Sequence, residues 1–256
     1  MFTVLPSVPP VITTAPVVTN AFLLDGTRTV LVAGDTNIFV VGATGPAGVE
    51  LSYHWQFGDG VTNDVSALNS ATHVYSDTNC GPYIASVTVH AGVTAVSSNL
   101  TVIVACDFLA ITKSQVGVNF AKTNADTVSL KVKLNLGGIT NVIQLTDKPV
   151  VVDIGDAQVS FKLDKKGHGA GPNGSCMMTY TKPTKKAPGY WTATFTLSKG
   201  YWRNAWIHYG LDNVTHKSPG VPVTLPVMLL VGDEAFAAAP ALHYTATYKK
   251  TGTAKK

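Results

Sequence analysis

The chain has 256 residues, 13% charged and 45% hydrophobic, which is enough apolar content for a core and too little charge for a disordered polymer. Its most apolar stretch, residues 221–230, is short and contains Pro222 and Pro226, so a membrane-spanning helix is excluded. The net charge of +4 hides a division: residues 1–107 carry one basic residue, Arg28, against seven acidic ones (net −6), and residues 108–256 carry eighteen against eight (net +10). This opposition predicts two domains and an attraction between copies set head to tail.

Residues 1–24 combine Pro6, Pro9, Pro10 and Pro16 with Val4, Leu5, Val8, Val11, Ile12, Val17 and Val18. Proline fixes φ and donates no hydrogen bond, so the segment is extended. That much apolar surface is costly to leave in water, and the segment is expected to pack on something, as a linker, an edge strand or an arm. As an arm, it would add a strand to the sheet edge of a neighbouring copy. No basic residue precedes Arg28, so the N-terminus does not read as a signal peptide as it stands.

With 23 Gly and 14 Pro among abundant Val and Thr, short strands and turns are expected over long helices. Residues 29–32, 37–42, 50–57, 83–90 and 96–105 read as strands, separated by turn clusters such as Gly34-Asp35, Gly45-Pro46 and Gly58-Asp59-Gly60. The pattern describes a seven-strand sandwich within residues 25–107. Trp55 and Phe57 fall on one strand face, the core side, and His54 and Gln56 on the other. Asp59 has no carboxylate or base near it in sequence, and is expected to serve the turn, with His73 and Tyr75 closing the same region.

If residues 83–90 and 96–105 form a hairpin, facing residues have numbers summing to about 186, which is the sum for Cys80 and Cys106. The pair is expected to be a disulfide, implying an oxidising, extracytoplasmic location; the alternative is two buried thiols. Cys176 is then the odd cysteine, buried or available for an intermolecular bridge.

Three elements in order carry a resemblance: Tyr53-His54-Trp55-Gln56-Phe57-Gly58-Asp59-Gly60, then His73-Val74-Tyr75, then Tyr83-Ile84-Ala85-Ser86-Val87-Thr88-Val89. Residues 28–105 resemble a PKD (polycystic kidney disease) domain, whose pattern reads W-x-F-G-D-G, H-x-Y and Y-x-V-x-L-x-V. Gln56 stands where an aspartate is common, and the stretch 76–82 is longer than the usual short turn. The resemblance implies an immunoglobulin-like sandwich.

Beyond Asp107 lysine becomes frequent and alternation restarts at 116–120, 127–136 and 157–163, continuing through 177–181, 191–197, 221–231 and 242–248. Residues 108–256 are expected to form a second antiparallel sandwich or barrel. The segments N-F-A-K at 119–122, V-D-I-G at 152–155 and F-K-L-D-K-K-G at 161–167 resemble an uncharacterised β-rich domain near the C-termini of large surface proteins of planctomycete-like bacteria. This implies a surface setting and no site. Residues 201–209, ended by Gly210, read as one short helix with Trp202, Trp206 and Tyr209 on a single face. Together with Trp191 these residues form either a plug on the core or an aromatic platform for sugar rings.

No H-E-x-x-H, G-x-S-x-G, Walker loop or C-x-x-C occurs. Residues 167–174 read as a flexible hairpin loop and not a phosphate loop. The histidines show no zinc spacing, and Asp153 and Asp156 stand without a calcium-loop cluster, so no metal or cofactor is expected. The lysines of residues 108–256 are spread among strands, with a single arginine in that half, Arg203, and with no nucleic-acid motif. Asn99-Leu100-Thr101, Asn173-Gly174-Ser175 and Asn213-Val214-Thr215 are formal glycosylation acceptors.

Taken together, the sequence predicts an all-β chain of two tandem antiparallel sandwiches after an N-terminal arm, without catalytic residues. The function expected from it is an extracellular structural or adhesive protein, bacterial in setting, that self-associates head to tail. The alternative is an accessory carbohydrate-binding module of a secreted polysaccharide-degrading enzyme, for which the discriminating feature is whether Trp202, Trp206 or Trp191 is exposed in a flat row.

Overall fold

Period-two alternation of apolar and polar residues runs through both halves, and strands result wherever it persists. The computed structural model describes residues 8–63, 66–76 and 80–256. The chain divides into two units, Met1–Ala105 and Cys106–Lys256.

The first unit contains β1 (Val11–Val18), β2 (Phe22–Leu24), β3 (Arg28–Val32), β4 (Asn37–Thr44), β5 (Leu51–Gln56), β6 (Ser70–His73), β7 (Gly81–Ala91) and β8 (Thr94–Asp107), whose last two residues belong to the second unit. One sheet has the order β1-β4-β6, and the other runs β5-β7-β8-β3-β2. Pairing is antiparallel except between β3 and β8, where Thr29 faces Val102 in parallel. Phe39, Val41, Trp55, Phe57, Tyr75, Val87 and Val89 fill the core between the sheets. All five strands expected here are present, and β6 is added, ending at the His73 of the H-x-Y segment.

The N-terminal segment is not a free arm along its described length. β1 pairs with β4, Val18 facing Phe39, and β2 pairs with β3. The physical reason is that β4 would otherwise expose a row of unpaired backbone groups beside the apolar inner face of Phe39 and Val41. Pro16 is tolerated because β1 is an edge strand, where a missing N–H leaves no ladder partner unsatisfied. Register slips between Ile12 and Val17, and Gly42 makes room for this, since a Cβ there would lie 2.8 Å from Thr14 Oγ1. Val18 is buried and Ile12 half-buried, whereas Val8, Val11 and Val17 are exposed. Val4 and Leu5 lie outside the described residues.

The second unit contains β9 (Ala110–Asn119), β10 (Asp126–Leu134), β11 (Pro149–Ile154), β12 (Ala157–Lys162), β13 (His168–Gly171), β14 (Gly174–Thr181), β15 (Tyr190–Gly200), a helical turn α1 (Arg203–Trp206), β16 (His216–Thr224), β17 (Val227–Val231), β18 (Glu234–Ala238), β19 (Ala241–Ala246) and β20 (Thr251–Lys255). An eight-stranded sheet has the order β13-β14-β15-β10-β9-β20-β19-β16. The facing sheet has the order β12-β11-β17-β18, with Cys106 and Asp107 parallel to Phe236 and Ala237. Val128, Leu130, Val132 and Leu134 of β10 meet Val150, Val152, Ile154 and Leu229 in the core. The fold is all-β, as expected.

Two local expectations are corrected. Residues 221–231 are not one strand: β16 and β17 lie in different sheets, and Pro226, which cannot donate to a ladder, falls in the break. Residues 167–174 are a hairpin, as expected, but one made mostly of strand and not of loop, since β13 runs to Gly171, which faces Gly174 of β14. Gly174 has φ 137°, and a Cβ there would collide with the backbone of Thr196, so glycine is required by close strand approach.

Candidate functional site

In the first unit the W-x-F-G-D-G segment and the H-x-Y segment meet. Asp59 Oδ1 accepts the Val61 N–H, fixing the turn, and Asp59 Oδ2 lies 2.8 Å from His73 Nε2. The His73 ring stacks on Phe57 at 4.1 Å and meets Tyr75 edge-on. Tyr75 donates its hydroxyl to Phe57 O at 2.9 Å. Burial, and then the Asp59 charge, push the Tyr75 hydroxyl above its ordinary pKa. Asp59, His73 and Tyr75 thus each hold a neighbour, and together they lock a turn, as the sequence predicts; the buried Trp55 Nε1 has no hydrogen-bond partner among the described residues.

In the second unit the helix expected at 201–209 is present as α1 followed by a 3₁₀ turn through Tyr209, and Gly210 ends it in the left-handed region at φ 86°. The aromatic residues do not form an exposed row. Trp206 is 0% exposed and Trp191 1%; Trp206 Nε1 donates to Ile154 O and Trp191 Nε1 to Ile139 O, both at 2.7 Å. Trp202 is half-buried and packs on the same core, 5.6 Å from the Trp206 ring. Tyr209 donates to Asp156 Oδ2 at 3.0 Å; burial, followed by Asp156, pushes its hydroxyl up to about 12. Burying an indole removes a large apolar area from water, and this outweighs display of the rings. The plug, not the sugar platform, is what these positions build.

Sequence reasoning passed over Asp126. It is 1% exposed and accepts three backbone N–H groups: Asn119 on Oδ1 at 2.9 Å, and Trp202 and Arg203 on Oδ2 at 2.7 and 2.9 Å. Arg203 in turn donates to Asn119 O at 2.7 Å. One buried carboxylate thus pins the start of α1 to the β9–β10 connection. Asp126→Asn keeps the volume but turns one acceptor edge into a donor, and is expected to destabilise the chain by roughly 2 kcal/mol. Urea unfolding of the variant beside the parent checks this. Asp153, in the β11–β12 hairpin, is similar: burial raises its carboxyl pKa, partly offset by the Asp156 N–H on Oδ1.

What remains open to a partner is the outward side of the eight-stranded sheet. Alternation that sends Val128, Leu130 and Val132 inward sends Ser129, Lys131 and Lys133 outward. Register sets Thr192 beside Lys133, Thr194 beside Lys131, and Lys113 directly opposite Lys131. The Lys133 Nζ sits 4.4 Å over the Tyr190 ring. Tyr190 is held below its ordinary pKa, first by the Thr181 hydrogen bond and then by Lys133. On the other sheet an open depression of about 420 Å³ is lined by Asp147, Lys148, Pro149, Ser160, Phe161 and Lys162. Among the described residues no group of three or more His, Cys, Asp or Glu is placed to hold a metal ion, and no helix is long and apolar enough to cross a membrane. Cys80 and Cys106 are disulfide-bonded, and Cys176 is a buried free thiol that burial pushes up to about 12.

No curated protein matches the chain. Among solved structures it is similar to carbohydrate-binding modules of the β-sandwich superfamily, at 13% identity and TM-score 0.34 over 97% of this chain and 90% of that one. It is similar to an endo-fucoidan hydrolase of glycoside hydrolase family 107, at 11% identity and TM-score 0.25, over 96% of this chain and 30% of the hydrolase. A chimeric titin Z1Z2 follows, at 15% identity and TM-score 0.22, over 90% of this chain and 97% of that one. TM-scores this low do not establish a common fold with these proteins. The family model of the PKD domain matches residues 21–104. The motif residues, the turn they lock, the sandwich around them and the family match agree, and residues 21–104 form a PKD domain.

Proposed function

We propose that the chain is a non-enzymatic extracellular or cell-surface protein of bacterial setting, structural or adhesive in role, whose second unit attaches to polysaccharide. The observation that carries this is the outward side of the eight-stranded sheet, where hydroxyls and amines of short-spaced strands form a broad polar surface. Hydroxyl and ammonium groups supply donors to the many acceptor oxygens of a sugar chain. The Cys80–Cys106 disulfide supports the location, since such bonds persist in oxidising compartments. Attachment does not depend on the tryptophans. Passing the native chain over immobilised polysaccharides, neutral and acidic, is the test: retention on at least one at low salt is expected, and passage through all of them overturns the reading.

A second reading, head-to-tail self-association, is favoured by the −6 and +10 halves of the chain. It places strand addition not on a free arm but on the outer edge of β1, which among the described residues pairs with β4 alone. Sedimentation without polysaccharide should then show assemblies at low salt that disperse at high salt; a monomer at every salt concentration removes it.

A further inference from the structure

The eight strands of the large sheet contain six lysines and a single acidic residue, Asp126. That carboxylate is buried and accepts three backbone N–H groups, so it faces inward, away from the exposed lysines. Lys131 and Lys113 face each other directly across the β9–β10 ladder, and both are exposed. Like charges placed opposite each other in an antiparallel pair destabilise it, and no outward position of these strands carries a carboxylate to relieve them. Lys133 follows on the same face, and Lys255 faces Gln115 across β20. Lys182, Lys185 and Lys186, in the loop joining β14 to β15, extend the positive zone.

We infer that this face, centred on Lys113, Lys131 and Lys133, binds an acidic polysaccharide bearing sulfate or carboxylate groups; this rests on the polysaccharide reading above. An anion between Lys113 and Lys131 converts the repulsion into two attractions. The shape suits an extended polymer. Thr192 and Thr194 are half-buried beside the lysines, and neighbouring strands repeat at about 4.8 Å, so a chain laid across them meets donors at every strand. The first unit of a second copy is a poor occupant. Asp25 is paired with Arg28 and Asp59 with His73, while Asp35 and Glu50 lie in the loops at opposite ends of β4. The described acidic residues of that unit are thus partly paired and set apart, and they suit a compact run of lysines less well than a polymer with regularly spaced anions does. Nucleic acid is disfavoured because the outward aromatic on β15, Tyr190, already has a lysine over its ring, leaving little for bases to stack on.

The experiment compares immobilised dextran sulfate with unmodified dextran, the same sugar backbone with and without charge. The native chain should bind dextran sulfate, and added salt should weaken it. The triple variant Lys113→Gln, Lys131→Gln, Lys133→Gln should lose at least roughly tenfold in affinity, while Lys148→Gln with Lys162→Gln, on the other sheet, should bind like the parent. These lysines are outside the core, so circular dichroism should match the parent. Parental affinity in the triple variant overturns the inference. Equal retention of parent and triple variant on neutral dextran overturns it while the polysaccharide reading stands; no retention on any polysaccharide overturns both. Low-salt assemblies that vanish in the triple variant would assign the face to a second copy instead, and duplex DNA held as tightly as dextran sulfate would make it a general polyanion surface; either result overturns the proposal.

Discussion

Replacing Trp206 by alanine is expected to lower the unfolding free energy by about 3–5 kcal/mol, the range for deleting a large buried aromatic. The ring is fully buried where α1 meets the core. Leu211 and Leu225 belong to the same buried cluster, and a Cβ on Gly155 would sit 3.1 Å from Trp206 Cδ1, so the surroundings are already tight on one side and cannot close fully over a cavity. The second part of the loss is polar. Without the indole N–H, the carbonyl of Ile154 loses its 2.7 Å donor inside the protein, and a buried unsatisfied acceptor costs about 1–3 kcal/mol. Trp206→Phe separates the two, because it keeps most of the ring volume and drops only the donor. The expected order in urea unfolding is parent, then Trp206→Phe, then Trp206→Ala. Equal stability of the alanine variant and the parent would mean that the helix is not anchored by this ring. Polysaccharide retention by folded Trp206→Phe should equal the parent's, because the ring faces the core.

The strands that are half-buried were legible because alternation is a local property: Val128, Leu130, Val132 and Leu134 announce β10 without knowledge of its neighbours. β17 is different, since all five residues are buried, and a strand covered on both faces loses its alternation. It merged with β16 in the sequence until Pro226 was seen to fall between two sheets. β18, Glu-Ala-Phe-Ala-Ala, has no β-branched residue and is a strand because tertiary packing overrides propensity. The PKD turn was readable from Asp59, His73 and Tyr75, since its residues stand at fixed offsets. Asp126 was not, because two of its three partners lie 76 and 77 residues away at Trp202 and Arg203, and only the fold joins them. The aromatic residues gave the right helix and left its face undecided: spacing says which rings share a side, and burial alone says which way that side points. The basic face stayed hidden for the same reason. Lys113 and Lys131 are far apart in sequence, and register alone sets them opposite each other.

Removing the disulfide, by Cys80→Ser together with Cys106→Ser, is expected to cost about 3.5 kcal/mol, because the bond closes a loop of about 26 residues whose freedom the unfolded chain would regain. The hairpin register shows where the bond acts. Gly81 faces Val104 and Ala91 faces Thr94, pairs that sum to 185, so Cys106 lies one residue beyond the position facing Cys80. The sequence estimate of 186 was therefore off by one residue in register and still joined the right pair, since a disulfide spans a diagonal step as well as a direct one. The bond fastens the open end of the hairpin, opposite its turn at residues 92–93. Fraying there would expose Val102 and Val104, both in the first unit's core. Reductant should accordingly lower the parent's unfolding midpoint to that of the double serine variant and leave the variant itself unmoved. Cys176 should not interfere: it is buried, and its thiol is pushed up to about 12, so little reactive thiolate exists at neutral pH. Native alkylation should thus modify Cys80 and Cys106 after reduction and spare Cys176. If reductant leaves the parent's midpoint unchanged, the hairpin's own ladder and core suffice to hold its open end, and the loop-entropy account fails for this chain.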